Sequence, residues 1–151
     1  MTPIRLILAA CLLALTPLVS HSQSTQAELS EELFTAAHLG YMPIIINLVE
    51  QGANVNYTSG DRTSPMHAAA SRGYLEVVQY LRSRGAHLNP RTVENWIPLH
   101  HAVRFGHRDV VNYLLASGAP LYMRTRTGQT VFDMAQGTGD YAMLNLLERY
   151  R

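Results

Sequence analysis

No lysine occurs in this sequence: all 12 basic residues are arginine, set against 11 acidic ones. The absence rules out a Gly-x-x-x-x-Gly-Lys loop for cradling phosphates. Biased codon usage accounts for it without any functional preference. Strong charge of either sign is missing as well. The formal net charge of +1 leaves no basic excess of the kind a dedicated nucleic-acid binder uses to release counterions. Cysteine occurs once, as Cys11. Tryptophan also occurs once, as Trp96. The chain has no Gly-x-Ser-x-Gly elbow and no dinucleotide fingerprint after a strand. No two histidines stand four apart as a helical metal site requires, and adjacent His100 and His101 point to different sides of a helix. Asp61, Asp109, Asp133 and Asp140 are scattered and do not form an acid–base pair. No enzymatic activity, cofactor or metal is expected.

The one long apolar run is at the N-terminus. Arg5 precedes Leu6–Val19, which only Thr16 and Pro17 interrupt, and Ser20 and Ser22 offer small residues to a signal peptidase. Residues 1–22 are therefore expected to be a cleaved signal peptide, cut after Ser22, rather than a membrane anchor. Leu8-Ala9-Ala10-Cys11 has the outline of a lipobox. However, few apolar residues precede it and the apolar run continues beyond it, so lipidation is not expected. Removal of the leader takes away Arg5 and Cys11. The mature chain then has 11 arginines, 11 acids and no thiol. Disulfides, redox chemistry and cysteine nucleophiles are excluded, and stability must come from packing. The expected location is periplasmic or secreted, with the mature chain not inserted in a membrane.

Glycines provide the strongest pattern. Gly40, Gly73, Gly106 and Gly139 are each 33 residues apart, and Gly52, Gly85 and Gly118 keep the same interval. A period of this length marks stacked supersecondary units, each burying its apolar face against its neighbours. Within a unit, Ser64-Pro65 starts a short alanine-rich helix and Gly73 ends it. A second helix presents Leu75, Val77, Val78 and Leu81 on one face, and Gly85 closes it.

These rows resemble the ankyrin repeat. Pro65-Met66-His67 and Pro98-Leu99-His100 carry the likeness, as do Gly73-Tyr74, Gly106-His107, Val77-Val78, Val110-Val111 and the Gly-Ala pairs at 52, 85 and 118. The resemblance implies an all-α solenoid of helix-turn-helix units joined by hairpin loops. Residues 23–30 are expected to form a lead-in whose first helix covers Ala27–Ala37. Repeats follow at about 31–58, 59–92, 93–125 and 126–151. The first row lacks the proline–histidine start, and the last has Val131 and Asp133 there, so both read as caps. His67 and His100 are expected to bridge neighbouring hairpins by hydrogen bonds.

The resemblance further implies binding to another protein by a monomeric stack, through the hairpin tips and first-helix ends that line the concave face. Trp96, Phe105, Arg104, Arg72, Glu94, Asp61 and Arg126 are the candidates there. Tryptophan and arginine dominate binding hot spots, and clustered exposed aromatics mark interfaces. The alternative is that Trp96 folds over its own hairpin and Phe105 covers a helix edge. Exported proteins of this kind include companions of periplasmic enzymes and immunity proteins that block delivered toxins such as lipases. The expected function is the first, a scaffold or companion; the alternative is the second.

Overall fold

The computed structural model describes the backbone from Thr16 to Arg151 and the side chains from Thr25 onward. Cys11 and most of the expected leader lie outside the described residues, as do the side chains at the expected cleavage site.

Among the described residues, eight helices follow in four pairs. They are α1 (Thr16–Leu39) with α2 (Met42–Glu50), α3 (Pro65–Arg72) with α4 (Leu75–Ser83), α5 (Pro98–Arg104) with α6 (Arg108–Ala116), and α7 (Val131–Gly137) with α8 (Tyr141–Glu148). The first helices stack in series, α1 on α3, α3 on α5 and α5 on α7, while α4, α6 and α8 form an outer row. One continuous core runs from Leu33 to Leu147. Six of its alanines, Ala36, Ala37, Ala69, Ala70, Ala102 and Ala135, lie on the first helices. Small side chains there let successive helices approach closely.

Helix α1 starts well before Ala27, the expected start of the first helix, and the expected lead-in is part of it. No glycine or proline falls between Leu18 and Leu39, so nothing in that stretch breaks the helix. Buried Ser30 ties it down: its hydroxyl donates to the Gln26 carbonyl at 2.6 Å and accepts from the Asn54 N–H at 2.9 Å. Among the described residues, no helix is long and apolar enough to cross a membrane.

Each pair turns its corner in the same way. Gly40, Gly73, Gly106 and Gly139 have φ of 75°, 77°, 75° and 69°, the left-handed conformation that ends a helix most easily on glycine. At Gly73 the need is also steric, because a Cβ there would collide with the His107 ring of the next repeat. His107 lies against that corner and its Nε2 reaches the Ser71 carbonyl at 3.0 Å.

The histidines of the repeat start are buried connectors, as expected. The Ser64 N–H donates to His67 Nδ1 at 3.1 Å, which leaves Nε2–H to donate to the Trp96 carbonyl of the next hairpin at 3.0 Å. His100 repeats the arrangement, with the Ile97 N–H on Nδ1 at 3.1 Å and the Met123 carbonyl on Nε2 at 3.0 Å. In the fourth pair Asp133 accepts from the Thr130 N–H at 2.7 Å instead. It closes the helix start but bridges to no further repeat.

The hairpin tips also repeat. Ser59, Thr92 and Thr125 each bond backbone to backbone with the residue four positions on. Arg62, Asn95 and Gly128 take the left-handed position, at φ 64°, 59° and 82°. Neighbouring tips are joined by Val93 N–H to Asp61 carbonyl at 3.0 Å and Arg126 N–H to Glu94 carbonyl at 2.8 Å.

Candidate functional site

Asp61, Glu94, Trp96, Arg104 and Phe105, five of the seven expected binding residues, line one open hollow of about 430 Å³ between the second and third repeats. Thr63, Thr92, Val93 and His101 complete it. The tips supply Asp61, Val93, Glu94 and Trp96; α5 and its C-terminal end supply His101, Arg104 and Phe105. Phe105 is 56% exposed and Val93 49%.

Trp96 is half-buried. It folds over its own repeat, its ring 6.0 Å from that of His100 and 5.0 Å from that of His101. It also borders the hollow, with the Arg104 guanidinium 5.8 Å from the ring centroid, a cation–π approach. Its backbone is fixed by two donors on one carbonyl, Thr92 N–H and His67 Nε2, each at 3.0 Å.

Asp61 is held ionised by its own turn. Ser59 Oγ donates to one carboxylate oxygen at 2.5 Å, and the Thr63 N–H does so at 3.0 Å. Thr63 Oγ1 reaches the other oxygen at 2.8 Å. The Ser59 hydroxyl, followed by these Thr63 donors, pulls its pKa down to about 2. Glu94 faces Arg126 at 3.4 Å, with both side chains more than half exposed, a pair readily exchanged for another partner.

Arg72 and Arg126 lie apart from the hollow. Arg72 reaches His38 on α1, with Nη2 2.8 Å from His38 Nε2, so it bridges the ends of the first two inner helices. Arg126 lies on the fourth tip, beyond Glu94. On the far side of Arg104 and Phe105 is a second hollow of about 400 Å³, completed by Gln129, Asp133, Met134, Gly137 and Thr138. The two side chains thus form a ridge between two depressions one repeat apart.

His101 is the site residue that the sequence reading missed. In the same register, repeats two and four carry Ala68 and Met134, both buried. Here an imidazole stands edge-on to His67, ring centroids 5.4 Å apart, and its buried Nε2 has no hydrogen-bond partner. Burial, reinforced by the neighbouring His67 and His100, pushes its pKa down to about 4. Burial does the same to His67, against the pull of the Trp96 carbonyl. Comparing residues 68, 101 and 134 in the sequence would have exposed the anomaly.

The outward face of the first pair is less polar than a cap's. Leu39, Tyr41 and Ile44 are about half exposed and border a groove of about 450 Å³ with Glu28, Glu31 and Glu32. In an internal repeat, the preceding unit would cover this face. Among the described residues no group of histidines and acids is placed to hold a metal.

Stacked helix pairs joined by hairpin tips define a repeat solenoid, a class that works by surface recognition. A family model described as ankyrin repeats in three copies matches residues 33–125. That is more than half of the chain, and the protein belongs to the ankyrin-repeat family. Ankyrin repeats bind other proteins and are typically non-catalytic. The fourth helix pair lies beyond the matched residues. No curated protein matches the chain.

Proposed function

We propose that this protein is an exported, monomeric binding module that holds another protein against the hollow of its third repeat. The observation that carries the reading is a contrast between equivalent positions. Val93, Glu94, Trp96, His101, Arg104 and Phe105 form one surface around that hollow. Their equivalents, Gly60, Asp61, Thr63, Ala68, Ser71 and Arg72 in the second repeat, and Arg126, Thr127, Gln129, Met134, Gly137 and Thr138 in the fourth, include no other exposed aromatic. The repeat needs none of these side chains, whereas a recognition surface does.

Export rests on the leader, and it places the module in the periplasm or outside the cell as a scaffold or companion. The mass of the mature N-terminus tests this part, and a chain beginning at Gln23 is expected. Binding is tested by capture of the partner from the native compartment. Trp96→Ala is expected to weaken capture by about 2 kcal/mol, roughly 30-fold, with an unchanged helical signal. Full-strength capture by a folded Trp96→Ala protein would refute this surface. If the captured partner is an enzyme that loses activity on binding, the module is an inhibitor or immunity protein rather than a companion.

A further inference from the structure

We infer that the histidines beneath the third hairpin tip make the hollow acid-sensitive: protonation of His67 and His101 unseats Trp96, opens the wall of the hollow and frees the partner. This rests on the reading of the hollow as the binding surface.

Trp96 rests on imidazoles that the structure holds neutral. Its ring lies 5.0 Å from that of His101, which stands edge-on to His67 at 5.4 Å. His67 cannot take up a proton without losing a bond. Its Nδ1 accepts from the Ser64 N–H at 3.1 Å, and its Nε2–H holds the Trp96 carbonyl at 3.0 Å. A proton on Nδ1 would set two donors against each other, and the backbone one cannot rotate away. At His101 the obstacle is a missing partner. Its buried Nε2 has no hydrogen-bond partner, so the N–H that the cation carries there finds no acceptor.

Burial, the largest effect at both histidines, holds the pKa of each at about 4. The surrounding charges do not reverse it. His100 repels a cation at either histidine, and Arg104 repels one at His101, whereas Asp61 on the second tip attracts both. Asp61 is itself bonded to Ser59 and Thr63. Glu94 on the third tip is paired with Arg126. On α7, Asp133 lines the far hollow beyond the ridge and is bonded to Thr130. On α6, Arg108 pairs with Asp140, and on α3, Arg72 turns to His38.

The part that gives way is the tip. Helices α3 and α5 are fixed in the continuous core, while Trp96 borders the open hollow. The third tip is held mainly by Thr92 N–H to the Trp96 carbonyl and Val93 N–H to the Asp61 carbonyl. Local opening draws on such thinly packed segments. Once Trp96 moves, water reaches both imidazoles, which then titrate near the ordinary value of about 6.5. Each histidine favours the open tip by up to about tenfold per pH unit between about 6.5 and 4, and the two together by about a hundredfold. The device is confined to the third repeat. In the same registers the second and fourth repeats carry Ala68 and Met134 for His101, and Thr63 and Gln129 for Trp96.

The test is an acid titration of the purified protein with two readouts. Access of a neutral quencher to Trp96, the sole tryptophan, reports the tip, and far-ultraviolet circular dichroism reports the helices. Trp96 should become accessible between about pH 6.5 and 4 with the helices retained, in a transition that takes up about two protons. His101→Met should move that transition to lower pH and cut the uptake to about one proton. Partner captured at neutral pH should be lost in an acid wash, at least about tenfold more from the wild type than from His101→Met, each relative to its own neutral wash. Accessibility that stays flat, or rises only as the helices melt, would overturn the switch. Trp96-dependent capture at neutral pH would then leave the binding face standing. Equal acid release from wild type and His101→Met would also overturn the switch. If Trp96 opens and the partner stays bound, the hollow is not the docking face and the proposal falls with it.

Discussion

Replacing Gly73 by alanine tests the stacking of repeats at a single atom. The change has two separable costs. Alanine at φ 77° carries the left-handed penalty of about 1–2 kcal/mol. The new Cβ also meets the ring of His107, which must swing away and lose its 3.0 Å bond to the Ser71 carbonyl, about 1 kcal/mol more with some lost packing. The expected total is about 2–4 kcal/mol. Gly118→Ala is the control: its φ is 95°, but nothing lies within 4 Å of the added carbon, so only the conformational part of about 1–2 kcal/mol applies. Equilibrium urea unfolding, compared at a common slope, measures both. In a His107→Ala background the excess at Gly73 should disappear, because the clash partner is gone. Equal costs for the two glycines within about 0.5 kcal/mol, or an excess that survives removal of His107, would refute close approach of neighbouring corners as a determinant of stability.

Three further outcomes follow from the same structure. His67 and His101 have folded pKa values near 4 because burial disfavours the cation, so stability is intact above the unfolded value of about 6.5. It falls by about 1.4 kcal/mol per pH unit for each histidine between there and 4; a flat urea midpoint from pH 7 to 4.5 would contradict this. Arg62 occupies the left-handed tip position that Gly128 fills in the fourth repeat, so Arg62→Gly should stabilise by up to about 1 kcal/mol in thermal melts. His101→Met, the residue of the same register in the fourth repeat, removes the orphaned Nε2. It should raise stability by about 1–3 kcal/mol while weakening partner capture; a destabilised variant would show that the imidazole has a partner in the native state.

The period alone made the helix pairs legible, because glycine at the corner, proline at the helix start and paired valines on the outer helix are each dictated by local geometry. The connecting role of His67 and His100 was legible through the family resemblance. The residues lining the hollow were legible as hairpin-tip and first-helix-end positions that the family resemblance supplies, where Trp96, Phe105 and Arg104 stood out by residue type. Arg72 was grouped with them on register, but its long side chain turns toward His38 on the preceding helix. Local pattern says nothing about which neighbour a flexible arginine chooses. His101 escaped because an adjacent histidine had a structural role, and only its environment shows that it is buried without a partner. The exposed Leu39, Tyr41 and Ile44 were hidden for a similar reason. A helix sequence shows which residues are apolar, and only the structure shows which of them stay exposed among the described residues.

The most direct test of the account is a photo-crosslinking amino acid placed at position 105 in the full-length protein, expressed in its native compartment and irradiated there. An adduct of one defined mass is expected from position 105 and again from position 93. It should vanish in the Trp96→Ala background and be absent from position 76, which lies exposed on the outer helix α4. Adducts from position 76 but not from 105 or 93 would contradict the claim that the third repeat's concave hollow is where this protein meets its partner.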